Sequence, residues 1–153
     1  MKVWVVTDHS EAVAEWTLRR LPEPIDGWGP CRGIGVARGP DLIAGIVYNN
    51  LDAVGCQMSI ASTSPGWATR PVLRLLFHYP FNQYGLRRVY ALTSAKAAHT
   101  RAFLERLGFV QEGLLREGFV SGDAAVYGML KRECRWIGDH RGKEQKQLAA
   151  AAA

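Results

Sequence analysis

Cysteine is scarce in this sequence of 153 residues, which has only Cys31, Cys56 and Cys134. Their number is odd and no two form a C-x-x-C pair, which argues against a disulfide framework and against a cysteine-based zinc site. Free thiols persist in reducing compartments, so we expect a cytoplasmic protein. The four histidines form no H-x-x-x-H or H-E-x-x-H pattern, and we therefore predict no metal.

Long apolar runs are also missing. No run reaches the roughly 18 residues that a membrane helix needs, so we expect no membrane partner. The apolar part of the N-terminal segment is too short for a signal peptide, and the sequence has neither a P-loop nor a G-x-S-x-G nucleophile elbow. Hydrophobic residues make up 48% and charged residues 22%, a composition that is typical of a globular domain and excludes disorder over the whole length.

The segment 32–39, RGIGVARG, has a superficial likeness to a dinucleotide-binding fingerprint. Its glycines, however, are spaced G-x-G-x-x-x-G, and no helical pattern follows them. We interpret the segment as a glycine-rich strand with its turn.

The formal net charge of +5 invites a nucleic-acid interpretation. The charge is unevenly placed, because residues 131–153 hold six bases and three acids whereas residues 1–130 are close to neutral. We predict a single domain over 1–136 and a basic, alanine-rich tail over 137–153. Nucleic acid is the less favoured partner, since a bound anion and a solvated tail account for the charge.

Hydrophobic periodicity and turn residues predict the order β-α-βββ-α-β-α-ββ. Three consecutive strands imply antiparallel hairpins, and the later strand-helix-strand unit implies a parallel crossover. The predicted fold is therefore a mixed α/β sheet with helices on both faces. The predicted elements are strands at 2–7, 31–38, 42–49, 54–62, 87–93, 109–116 and 123–131, helices at 10–21, from about 70 to Gly85 with a kink or early end at Pro80, and at 96–107, and a loop at 22–30 with an exposed Trp28.

The strongest local signal is the segment 62–70, STSPGWATR, which joins a predicted strand to the start of a helix. Backbone N–H groups at a helix N-terminus lack partners and attract phosphate. Gly66 and Ala68 are small enough to let an anion approach the backbone, and Arg70 and Arg74 add positive charge in the helix. Two interpretations stay open: a phosphate or pyrophosphate cradle, and a Ser/Thr-rich turn that only caps the helix.

Three segments resemble the GNAT superfamily of N-acetyltransferases. Residues 63–68, TSPGWA, resemble its acyl-CoA loop, whose pattern is Arg or Gln, two residues, Gly, any residue, then Gly or Ala. Residues 103–113, FLERLGFVQEG, and residues 122–136 are similar to the branch that acetylates ribosomal-protein N-termini. The loop is also similar to that of GNAT chains carried by phages and prophages. The resemblance covers about residues 31–136 and implies the GNAT acyl-CoA N-acyltransferase fold, with a mixed, mostly antiparallel sheet and helices on both faces.

The resemblance implies an enzyme that moves the acetyl group of acetyl-CoA directly to a primary amine. The amine would belong to a protein N-terminus, a lysine or a small molecule. A homodimer is expected by analogy alone. The positions that the resemblance assigns to the cofactor are Ile60, Ala61, Ser62, Ser64, Gly66, Trp67, Ala68, Thr69, Arg70, Ala97, Arg101 and Phe103.

The sequence departs from the family pattern at positions that matter for the chemistry. Thr63 replaces the usual Arg or Gln, Ala97 stands at the position of an Asn, and Leu104 stands where many members have a proton-donating tyrosine. The predicted strand at 54–62 carries no carboxylate, so the common glutamate base is missing. The resemblance therefore leaves the general acid and the general base unassigned.

Three side chains are candidates for catalysis: Ser62, Ser94 and Tyr127. Ser62 could orient water or the acetyl group, Ser94 could donate to CoA or substrate, and Tyr127 could face the cleft. Each has a structural alternative, namely local backbone bonds for Ser62, a helix cap for Ser94 and packing for Tyr127. Ser59 and His99 are further candidates.

Two functional alternatives stay open. The missing tyrosine, asparagine and strand carboxylate fit a non-catalytic acyl-CoA-binding or assembly module that has kept the fold. The basic tail fits a GNAT-type enzyme that modifies nucleic acid, with the tail contacting phosphates.

Overall fold

The computed structural model describes residues 2–138, in which seven strands and three α-helices follow the predicted order. The strands are β1 (Val3–Val6), β2 (Cys31–Arg38), β3 (Asp41–Asn49), β4 (Gly55–Ser62), β5 (Arg88–Ser94), β6 (Val110–Phe119) and β7 (Gly122–Leu130). The helices are α1 (Ser10–Leu18), α2 (Arg70–His78) and α3 (Ala98–Leu107). The predicted tail, 137–153, lies outside the described residues except for Ile137 and Gly138.

The seven strands form one sheet in the order β1-β2-β3-β4-β5-β7-β6. Every neighbouring pair is antiparallel except β4 and β5, which run parallel. Their pairing is short, from Gly55 opposite Arg88 to Gln57 opposite Tyr90. Beyond it the two strands part, and the sheet opens between their C-terminal ends.

Helix α1 lies directly on the glycine-rich strands β2 and β3. A Cβ atom added to Gly33 would come within 2.6 Å of the Ser10 carbonyl oxygen, and one added to Gly45 would collide with the Thr17 hydroxyl. These glycines leave the room that the helix backbone occupies. The interpretation of 32–39 as a glycine-rich strand and turn is confirmed.

Helices α2 and α3 cover the opposite face of the sheet. Tyr48 has the opposite side-chain direction from Gly45 along β3, and its hydroxyl donates to the Leu76 carbonyl of α2 at 2.6 Å. The strand register places Tyr127 of β7 on the same face as Tyr48. There the Tyr127 hydroxyl donates to Glu105 of α3 at 3.2 Å. Helices therefore lie on both faces, as predicted.

Pro80 widens the second helix and ends its regular part. Helix α2 stops at His78, and a π-helical turn follows over Tyr79–Gln83. The Tyr84 N–H donates to the carbonyl five residues before it, at 3.1 Å. Proline has no N–H for the carbonyl four residues earlier, which favours the wider turn. The predicted early end of this helix is confirmed.

Three details differ from the sequence prediction. Helix α1 ends at Leu18, three residues early. Trp28, expected to be exposed, is half-buried, and its indole Nε1 donates to the Ala14 carbonyl at 2.9 Å. Ile137, which the sequence assigns to the tail, is fully buried in the core, so core packing extends at least to that residue.

Candidate active site

The gap between β4 and β5 opens into a cavity of about 740 Å³. One wall is the C-terminal part of β4 with the loop that follows it, and another is the end of β5 with part of α3. The loop after α1 contributes a further side. The described lining residues are 20–23, 25, 57–68, 91–94, 99, 100, 103, 104, 106 and 119.

This cavity brings together most of the predicted cofactor and catalytic residues. Those that line it are Ile60, Ala61, Ser62, Ser64, Gly66, Trp67, Ala68, Ser94 and Phe103. Those that do not line it are Thr69, Arg70, Ala97, Arg101 and Tyr127. The further candidates Ser59 and His99 also belong to the lining.

The loop between β4 and α2 both caps the helix and faces the cavity. The Thr69 hydroxyl accepts from the Val72 N–H at 3.4 Å, so the predicted capping turn is present. The Thr69 N–H donates to the Trp67 carbonyl at 3.0 Å, which tightens the loop just before the helix. Gly66 adopts φ +82°, a left-handed conformation that favours glycine. Residues 64–68 thereby form a tight turn on the cavity wall.

Arg38, at the end of β2, holds this loop from the side. Its guanidinium donates to the Ser64 hydroxyl at 2.9 Å and to the Pro65 carbonyl at 3.0 Å. No sequence motif indicated Arg38, because it lies 26 positions before Ser64 and the strand order brings the two together. It places a positive charge beside the proposed anion cradle.

Ser62 and Ser94 end β4 and β5, on the two sides of the gap. Ser62 is exposed on the cavity wall. Ser94 is half-buried, and its Oγ accepts from the Lys96 N–H at 3.3 Å, so its own proton remains available for donation. The predicted helix cap at Ser94 is wrong, because α3 begins at Ala98 without a side-chain cap and Ser94 Oγ bonds only within the turn before it. The residue lines the cavity.

Arg101 and Tyr127 belong to a hydrogen-bond network outside the cavity. Arg101 Nε donates to the Tyr127 hydroxyl at 2.9 Å, and Arg101 Nη1 donates to the Ala95 carbonyl at 2.8 Å. The hydrogen bond with Tyr127 raises the pKa of Arg101, which keeps the guanidinium charged. Tyr127 is fully buried. The geometry therefore gives no support to Arg101 as a cofactor contact or to Tyr127 as a catalytic group.

Aromatic and aliphatic packing shapes the wall beside α3. The buried Trp67 ring lies 5.8 Å from the Phe103 ring. Leu104 is also buried on this wall, so the position that holds a tyrosine in many GNAT enzymes offers no proton donor. The Arg70 guanidinium lies outside the cavity, 5.7 Å from the Trp136 ring centroid. Ala97 precedes α3 and gives it no side-chain cap.

Three charged side chains line the described part of the cavity: Arg20, Glu23 and Arg106. Glu23 is the one carboxylate among them, and it lies in a loop without any motif, so the sequence did not single it out. Within residues 2–138, no group of three or more His, Cys, Asp and Glu side chains could hold a metal ion. No helix of that same stretch has the length and apolarity to cross a membrane.

No known protein-family model matches the sequence. Over 70 residues the chain is 39% identical to YdaF of Bacillus subtilis (strain 168), which is named as a candidate ribosomal N-acetyltransferase. The similarity covers 43% of this chain and 37% of YdaF, so the chain matches well under half the length of this relative.

Solved structures of acetyltransferases share the architecture. A variant of the spermidine N-acetyltransferase SpeG from Vibrio cholerae has a TM-score of 0.69 at 15% identity, covering 84% of this chain and 94% of its own. The ribosomal-protein-S5-alanine acetyltransferase from Vibrio fischeri has a TM-score of 0.58 at 16% identity, covering 69% of this chain and 63% of its own. The likeness shows that this chain has the GNAT acetyltransferase fold, as predicted, while the phage type stays a prediction.

Proposed function

We propose that this chain, built on the GNAT fold, moves an acetyl group from acetyl-CoA directly to a primary amine. The observation that carries the proposal is the opening between β4 and β5, whose cavity connects the loop before α2 with the ends of both strands. Such an opening admits an extended ligand arm into the sheet. It also places the end of that arm beside side chains from both strands.

The residues present fit coenzyme A in three respects. Beyond Gln57, the backbone groups of β4 that face the gap have no partner strand among the described residues, and an extended amide arm can pair with them as an added strand. Gly66 and Ala68 leave the loop backbone open to a pyrophosphate at the N-terminus of α2. Arg38, which holds the same loop, adds positive charge for the phosphates.

We assign the proton-donating roles in acetyl transfer to two serines, Ser94 and Ser62. Bound acetyl-CoA supplies a thioester, an activated acyl group that an amine can attack. We assign Ser94 as the donor to the leaving sulfur, because its Oγ accepts from Lys96 N–H and keeps its own proton free. Ser62, across the gap, donates to the acetyl oxygen as that oxygen gains negative charge. Holding both reactants in one cavity supplies much of the remaining rate.

The acceptor in this proposal is a primary amine. SpeG is named for spermidine, and the Vibrio fischeri enzyme is named for an alanine of a ribosomal protein. Polyamines and peptides with a free N-terminal alanine are therefore the first acceptors to test.

Calorimetric titration with CoA and a thiol-release assay test the proposal together. We expect CoA to bind, and we expect acetyl-CoA to release thiol in the presence of spermidine or an alanine-terminated peptide. Gly66→Glu places an anion in the cradle and is expected to abolish CoA binding. Gly85→Glu is the matched control, because Gly85 also has a positive φ but lies in open space away from the cavity. Absence of CoA binding to the unaltered protein refutes the proposal.

A non-catalytic acyl-CoA-binding module is the second candidate function. It is favoured by Leu104, which offers no proton at the usual acid position, and by the lack of a carboxylate on β4. CoA binding without release of thiol from acetyl-CoA in the presence of any peptide, polyamine or nucleic acid decides for this module. Thiol release with DNA or RNA alone decides instead for the nucleic-acid alternative.

A further inference from the structure

The loop between α1 and β2 brings one carboxylate to the cavity. Glu23 lines the cavity, and its Oε1 accepts from the hydroxyl of Ser121 in the turn between β6 and β7. Its other oxygen, Oε2, is buried and has no hydrogen-bond partner within residues 2–138. The chain thus fixes one oxygen of this carboxylate and leaves the other unsatisfied.

A buried carboxylate oxygen costs free energy unless a donor reaches it. A cationic donor satisfies it best, because hydrogen bonds between charged groups are the strongest. Arg20, one of the two cations that line the cavity, does not donate to Oε2. Its guanidinium donates instead to the Trp16 carbonyl at 3.1 Å and lies 4.1 Å from the Trp16 ring centroid. Arg106, the other cation of the lining, makes no hydrogen bond to Oε2 either. Residues 2–138 thus supply no donor to Oε2, and a cationic group of a ligand in the cavity can supply one.

We propose that Glu23 is the binding site for the ammonium group of the acceptor, which restricts the acceptors to cationic primary amines. This inference rests on the proposed acetyl transfer. Oε2 accepts a hydrogen bond from the ammonium group and then takes the proton that the amine must lose before it attacks. Glu23 is the one carboxylate among the described lining residues, and β4 has none.

The step balances without a further reactant. The ammonium group gives one proton to Glu23, and the resulting amine forms the new C–N bond to the acetyl carbon while the C–S bond of the thioester breaks. Ser94 gives its proton to the thiolate and takes the second proton from nitrogen. Glu23 then returns its proton to solvent, so the products are an amide, a free thiol and one proton.

Glu23→Gln tests the binding role with little change of shape. Glutamine keeps a carbonyl oxygen for Ser121 but loses the charge. Calorimetry measures the binding of spermidine and of a trialanine amide to the CoA-saturated protein at neutral pH. We expect the unaltered protein to bind at least one amine, and the variant to bind it about tenfold to a hundredfold more weakly. Asp26→Asn, an exposed position in the same loop outside the lining, is expected to leave amine binding unchanged.

The pH dependence tests the proton-acceptor role. The terminal amine of trialanine amide has an ordinary pKa of about 8, so above that pH it needs no base. We expect the difference in kcat/KM between the unaltered protein and Glu23→Gln to narrow from pH 7 to pH 9. Arg20, Arg106 and His99, which line the same cavity, are present in both proteins. A difference that stays constant over this range overturns the proton-acceptor role.

Ser121 is a positioning residue in this proposal, because it acts through Glu23. Ser121→Ala keeps the charge but frees the carboxylate, and we expect a smaller loss of amine affinity than with Glu23→Gln. If CoA does not bind, the proposed function fails. If CoA binds but neither amine binds, or both bind Glu23→Gln as tightly as the unaltered protein, the Glu23 inference fails and the cofactor site stands.

Discussion

Replacement of Gly66 by alanine separates the backbone strain of the β4–α2 loop from its role in binding. Gly66 has φ +82°, a conformation that costs an L-residue roughly 1–2 kcal/mol. The new Cβ atom would also lie 3.1 Å from the Arg38 guanidinium, which must shift slightly and loosen its hydrogen bonds to the loop.

The magnitude follows from two opposing contributions. Alanine restricts the unfolded chain more than glycine does, which offsets the strain by about 0.4–1 kcal/mol. A net loss of about 1 kcal/mol lowers the Tm of a domain of this length by roughly 2–4 °C. Since about 1.4 kcal/mol corresponds to a tenfold change in affinity, a loop that relaxes out of the left-handed conformation weakens CoA binding by about tenfold.

Gly85→Ala is the matched control for this variant. Gly85 has φ +71°, close to that of Gly66, but a Cβ atom there would meet nothing within 4 Å, and the residue does not line the cavity. We expect both variants to lose a similar amount of thermal stability in differential scanning fluorimetry. We expect only Gly66→Ala to bind CoA more weakly in calorimetry. Equal CoA affinity in the two variants would refute the assignment of the loop as the phosphate cradle.

Three further predictions concern single side chains. Arg38→Ala removes the hydrogen bonds to the loop and one positive charge, so we expect the Kd for CoA to rise about tenfold. Arg38→Lys should recover part of the affinity. An unchanged Kd in calorimetry would contradict this role. Gly45→Ala drives a Cβ atom into the buried hydroxyl of Thr17 in α1, which should lower the free energy of unfolding in urea by roughly 1–3 kcal/mol. A loss of stability close to zero would show that α1 shifts without cost. Burial raises the pKa of the Cys56 thiol from 9.0 to about 11, so its contribution to the free energy of unfolding is complete below pH 9 and is lost as the pH rises through about 11. Urea titrations should therefore show a steeper loss of stability over that range for the unaltered protein than for Cys56→Ala, and parallel losses would disprove it.

The elements and their order could be predicted from the sequence because their signals are local. Alternation along 54–62 and the helical spacing after Pro65 depend on residues a few positions apart. The glycine-rich segment 32–39 could likewise be identified as a strand with its turn, since no helical pattern follows it as in a dinucleotide-binding fingerprint. The opening between β4 and β5 has no such local signal, because no pattern of nearby residues states how far two strands remain paired.

The side chains that complete the site were harder to predict, because they come from distant parts of the chain. Arg38 at the end of β2 reaches Ser64 past the one intervening strand, β3, and Glu23 contacts Ser121, which lies 98 positions later in the sequence. Such contacts depend on the strand register and on the path of the loops, and the hydrophobic periodicity of a sequence predicts neither. Tyr127 shows the same limit, since its sequence position left both catalysis and packing open, whereas the structure buries it and bonds its hydroxyl to Arg101 and Glu105.

The short pairing between β4 and β5 has a consequence for how the protein opens. Strands β1 to β4 come from residues 3–62 and strands β5 to β7 from 88–130, so each half of the sheet is continuous in sequence and antiparallel within itself. Among the described residues, three residue pairs of ladder join the two halves. We expect hydrogen exchange to show two cooperative units that open separately. On the proposed function, an occupied cleft would couple them, and slower exchange at the ends of β4 and β5 with CoA present would report that coupling.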